Sequence, residues 1–67
     1  MDNTGILADI ACLHEVIKDN EKIDFLPSIE VLNDKNNNVL EKYRDYIRKT
    51  IDNKESVKEY EINKILN

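Results

Sequence analysis

Gly5-Ile6-Leu7-Ala8-Asp9-Ile10-Ala11-Cys12-Leu13-His14-Glu15-Val16-Ile17 is the stretch that decides the fold. Ile6, Ile10, Leu13 and Ile17 recur at helical spacing and form one apolar stripe. Leu7, Ala8, Ala11, Cys12 and Val16 fill most of the remaining angles, and only Asp9, His14 and Glu15 interrupt. A helix on a domain surface carries a polar face; one without it is buried on several sides. In a chain this short such burial calls for a second chain. The stretch is therefore expected to be a packing or docking surface.

The 67 residues allow one domain, spanning residues 1–67. A chain of this size buries only ~60% of its unfolded surface, so its own core is marginal. Small proteins remedy this with disulfides, a metal or association. Cys12 is the single cysteine and His14 the single histidine, which rules out an intrachain disulfide and leaves too few ligands for a structural zinc. Association remains, either with another protein or with a second copy.

The lone cysteine fits a reducing compartment. The start, Met1-Asp2-Asn3-Thr4, lacks a basic segment and a cleavage pattern, and no run nears the ~20 apolar residues of a membrane span. The expectation is a soluble, cytoplasmic protein with no membrane contact. Net charge is −4. Residues 1–36 carry eight acids against three bases, and residues 37–67 six acids against seven bases. The N-terminal part is thus at −5 and the rest at +1. An acidic chain repels phosphate backbones, which disfavours nucleic-acid binding.

Four elements are expected. The first helix runs from about Thr4 to Asp19, capped by Asn3 or Thr4 and ending near Asn20, a residue that tolerates the left-handed region. Ile23, Phe25 and Leu26 are too apolar for a free loop and should cover an open end of the core. Pro27 suits the first position of a short second helix to Asp34, burying Ile29 and Leu32 beside Val31. The run Asn33-Asp34-Lys35-Asn36-Asn37-Asn38 breaks the chain.

A third helix, Asn38 to about Asp52, places Leu40, Tyr43, Ile47 and Ile51 on its core stripe, widened by Val39, Tyr46 and Thr50. Its wet face holds Glu41, Lys42, Arg44, Asp45, Arg48 and Lys49, with Asp45 and Lys49 as a favourable pair. Beyond it the sequence allows one long helix or two. Ser56-Val57-Lys58-Glu59 matches a capping box, and the apolar stripe lapses over Lys54 to Lys58. A break followed by a helix from Ser56 to Leu66 is favoured.

Candidate chemistry is sparse. Cys12 and His14 are two positions apart, about 200° around a helix, so they form no nucleophile–base dyad. Asp19, Glu21 and Asp24 gather between the first two helices. They lack the fixed offsets and central glycine of a calcium loop. They fit a solvated acidic loop or a patch that steers a basic partner surface. Tyr43 belongs to the core; Tyr46 and Tyr60 are candidates for partner contact. Arg44, Arg48 and Lys49 are interleaved with acids, which argues against phosphate contact. Gly5 is the only glycine, so no glycine-rich phosphate loop exists.

Ala8, Ala11 and Cys12 are small and lie behind the isoleucine stripe, where they would let another helix come close. That face is covered by the third or terminal helix of the same chain, by a second copy, or by a foreign protein. The expected fold is all-α, a small bundle of three or four helices with the first in the middle, associating as a dimer or with a partner. No cofactor, metal or catalytic set is expected, so the chain reads as no enzyme. The function expected is protein binding, as an inhibitor, regulator or adaptor. The partner-binding candidates are Ala8, Ala11, Cys12, Val16, Asp19, Glu21, Asp24, Tyr46 and Tyr60. The alternatives are a self-assembling dimeric structural bundle and a DNA-binding or DNA-mimicking protein.

Overall fold

Helix α1 spans Thr4–Asn20 in the computed structural model, which describes residues 3–67. Met1 and Asp2, which contribute to the expectation about a leader, lie outside them. Asn3 occupies the N-cap, but its side chain makes no capping bond; its carbonyl accepts from the Leu7 N–H at 3.0 Å. At the other end the chain leaves through Glu21 in an extended conformation, with the Glu21 N–H donating to Ile17 at 2.8 Å. Asn20 stays helical and donates its Nδ2 to the Val16 carbonyl. The expected left-handed stop at Asn20 is not used.

Ile10, His14 and Ile17 are the buried residues of α1, with Ile6, Leu7 and Leu13 packed partly against the core. Ile23, Phe25 and Leu26 also pack on the core from the connection, as their apolar character predicts. Helix α2 is only Ile29–Asn33. Its N-cap is Ser28, whose Oγ accepts from the Val31 N–H, so Pro27 lies one step before the cap and outside the helix. Leu32 is fully buried, but Ile29 is 42% exposed, against expectation. With five residues α2 has little more than one turn and can aim only Leu32 at the core.

Helix α3, Asn37–Asp52, is capped by Asn36, whose Oδ1 accepts from Val39. Leu40, Tyr43 and Ile47 are fully buried, Thr50 nearly so, and Ile51 flanks them. Thr50 satisfies its hydroxyl by donating to the Tyr46 carbonyl at 2.8 Å. Two wet-face expectations change. Arg44 lies partly under α1, its side chain 25% exposed, 4.0 Å from Asp9 and 3.4 Å from Asp45. Asp45 thus meets Arg44 and not Lys49.

The break after α3 is real, and Lys54 makes it. Lys54 is the one described non-glycine residue with positive φ, at 57°. The Lys54 N–H donates to Ile51 and the Glu55 N–H to Thr50, both at 3.0 Å. This is a Schellman closure, with lysine where glycine is usual. Helix α4, Glu59–Leu66, then starts three residues later than expected. The Ser56 capping box does not form, because Lys58 holds the N-cap position without a side-chain bond. The Tyr46 hydroxyl instead accepts from the Lys58 N–H at 3.0 Å, tying the start of α4 to α3. Val57, in the loop, is 5% exposed and joins the core with Ile62.

The described residues contain four helices and no strand. One core cluster unites them: Ile10, Ile17, Leu32, Leu40, Tyr43, Ile47, Val57 and Ile62. Helix α1 packs on α2 and α3, and α4 packs on α3. The centre is therefore the α1–α3 pair and not α1 alone. Asp9 meets Arg44, His14 meets Tyr43, and the C-terminal ends of α1 and α3 line one cavity. Among the described residues no helix is long and apolar enough to cross a membrane.

Candidate functional site

Helical rotation divides α1 cleanly. Ile10, His14 and Ile17 point inward; half a turn away are Ala8, Cys12 and Asp19, all exposed, with Glu15 and Val16 beside them. Ala11 sits at the edge, half-buried. Val16 is 40% exposed. Neither α3 nor α4 covers this face, which removes the intrachain reading of its small residues. The expectation that α1 is crowded on several sides is corrected with it. The outward residues are small or charged, and leaving alanine and cysteine wet costs far less than exposing isoleucine.

Gly5 lies on the same outward side. A Cβ placed on it would meet no atom of the described residues within 4 Å, so none of them requires glycine there. Asp9, Glu15 and Asp19 flank the row, all exposed. The result is a shallow surface of small side chains bordered by carboxylates.

The remaining sequence candidates lie elsewhere. Glu21 is half-buried at the C-cap of α1 and lines a cavity shared with the end of α3. Asp24 is exposed on the connection and borders a depression of about 270 Å³ that also reaches His14, Lys18 and Leu26. Glu21 and Asp24 thus border different depressions, and Asp19 is exposed on the last turn of α1. Tyr46 and Tyr60 line another depression, of about 280 Å³, between α3 and α4. Tyr60 is 63% exposed, whereas the Tyr46 hydroxyl is engaged with Lys58.

Cys12 and His14 part company, as their spacing requires: Cys12 faces outward, and His14 is 6% exposed in the core. His14 Nε2 is 2.7 Å from Tyr43 Oη, and the rings stand edge-on at 84°. Burial pushes the His14 pKa below its ordinary value, the Lys18 ammonium adds to this, and Glu15 opposes it. Burial raises the Tyr43 hydroxyl above its usual range, with Tyr46 adding to the shift. Both groups are held neutral, as a satisfied polar contact inside an apolar core demands. Among the described residues no group of three His, Cys, Asp or Glu side chains is placed to hold a metal ion.

Two features were not read from the sequence. Arg44 Nε is buried with no hydrogen-bond partner, a consequence of the α1–α3 contact that no local pattern encodes. The cavity at the ends of α1 and α3 depends on the turn at Lys54, which no glycine announced. The chain matches no family model, and no curated protein and no solved structure matches it.

Proposed function

We propose that this chain binds another protein through the outward face of α1, acting as an inhibitor, regulator or adaptor without catalysis of its own. The observation that carries the reading is the uncovered row Gly5, Ala8 and Cys12, with Val16 beside it, on a helix whose opposite side is core. Small side chains let a second backbone approach closely, and the absence of any internal need for glycine at position 5 leaves room for it. The exposed Glu15 and Asp19 favour a basic rim on the partner, while Asp9 already faces Arg44.

Self-association through the same row is the weaker reading. A two-fold pair brings the same patch of both copies together, so the Glu15 and Asp19 carboxylates of one copy would share an interface with those of the other. A foreign basic surface meets no such repulsion.

The test is sedimentation of the chain at micromolar concentration, alone and mixed with a protein recovered from an extract of its source cells. The reading expects a monomer alone and a complex when mixed, lost in Ala8→Glu and Cys12→Glu. Affinity should fall as salt rises, since exposed charges are screened over about 8 Å at physiological ionic strength. A stable dimer alone that Ala8→Glu dissociates would favour the structural-bundle reading.

A further inference from the structure

A cavity of about 460 Å³ opens where α1 and α3 end. Ile17, Ile51 and Val57 form its apolar wall, and Ile17 and Val57 are 3% and 5% exposed. Asn20, Glu21, Lys54 and Glu55 form its rim. Both α1 and α3 bring their C-terminal ends to this place. A helix C-terminus carries about half a negative charge on its last carbonyls. Among the described residues, neither Glu21 nor Glu55 is engaged in an ion pair. The rim therefore holds two carboxylates and two helix ends against the single ammonium of Lys54.

That combination of apolar wall and negative rim fits one kind of side chain: an aliphatic stem ending in a cation. We propose that the cavity receives an arginine or lysine side chain of the protein partner, its methylenes against Ile17, Ile51 and Val57 and its charged head among Glu21, Glu55 and the last-turn carbonyls. Long basic side chains bury their stems and keep the head at a polar edge in this way. The proposal rests on the protein-binding reading and adds the chemistry of one contact to it. Asn20, on the last turn of α1, joins this rim to the docking face, which ends at Asp19.

The experiment is a titration of the ¹⁵N-labelled full chain, followed by amide chemical shifts, with N-acetyl-arginine methylamide as probe. N-acetyl-norleucine methylamide and N-acetyl-glutamate methylamide are the controls. The expected result is saturable shifts confined to Asn20, Glu21 and the 54–57 segment with the arginine probe. The Glu21→Gln/Glu55→Gln double variant should bind it about threefold to tenfold more weakly, the range for two exposed charge contacts. Both changes keep side-chain size at partly or fully exposed positions, so the fold is retained. Norleucine shifting the same amides with equal affinity, an unchanged affinity in the double variant, or shifts scattered over the surface would each overturn the proposal. The probe reads the cavity alone, and the Ala8→Glu experiment reads the face of α1, so either can fail while the other stands.

Discussion

His14 Nε2 and Tyr43 Oη lie 2.7 Å apart inside the α1–α3 interface, the one described side-chain-to-side-chain hydrogen bond that joins two helices within the core. Each partner is apolar enough to pack and polar enough to need the other. Tyr43→Phe keeps the ring and strands the imidazole nitrogen. It should cost about 1–3 kcal/mol, the penalty of a buried group left unpaired. Urea unfolding checks this; an unchanged midpoint and slope would mean that water replaces the hydroxyl without cost.

The same pair sets a pH dependence. His14 has its folded pKa below the ordinary 6.5, chiefly through burial. The unfolded chain therefore takes up a proton that the folded chain refuses. The contribution of neutral His14 to stability is fully present above about pH 6.5 and is lost as pH falls through the lower folded value. Melting curves between pH 7.5 and about pH 4.5 should show this fall. His14→Gln should flatten that part of the profile, leaving the carboxylate-driven loss at lower pH. A parallel decline in wild type and variant would contradict the assignment.

The turn after α3 gives a test of opposite sign. Lys54 holds φ at 57°, where a Cβ is unfavourable. Lys54→Gly removes that penalty and should stabilise the chain by about 0.5–1 kcal/mol. Lys54→Val should destabilise it, because β-branched side chains fit this region worst. Thermal unfolding of both variants decides; stabilisation by valine would mean the turn opens freely.

Much of this fold was legible because apolar spacing survives into packing. Ile6, Ile10, Leu13 and Ile17 on α1, and Leu40, Tyr43 and Ile47 on α3, lie on the inner faces their spacing assigns. Legibility stops where tertiary contacts choose between local options. Ser56-Val57-Lys58-Glu59 carries a capping pattern, yet burying Val57 and engaging the Tyr46 hydroxyl delay the helix to Glu59. Ile29 looks like core but belongs to a helix too short to turn it inward. On α1 the sequence names the small outer residues, and only the packing of α3 and α4 decides that they remain uncovered. The rim of the end cavity was invisible because Glu21, Lys54 and Glu55 come from segments that meet only in space.

Gly5→Ala separates stability from docking. A methyl group at position 5 meets nothing within 4 Å, and alanine favours the helix by up to about 1 kcal/mol, less near an end. The variant should melt higher than the wild type. If a partner backbone crosses the row at Gly5, the same variant should bind it more weakly despite its greater stability. Isothermal titration together with melting on the same samples reads both; higher stability with unchanged affinity would move the crossing point away from position 5.

We propose that the outward face of α1 is built to be covered by another protein. The most direct measurement of this compares wild type and Ala8→Glu for formation of a stoichiometric complex from a source-cell extract, with the melting temperature of each recorded. Near-equal melting temperatures are expected, because Ala8 is exposed and outside the core, with a complex present only with the wild type. Equal yields of the same complex from both chains, or no complex from either, would contradict it.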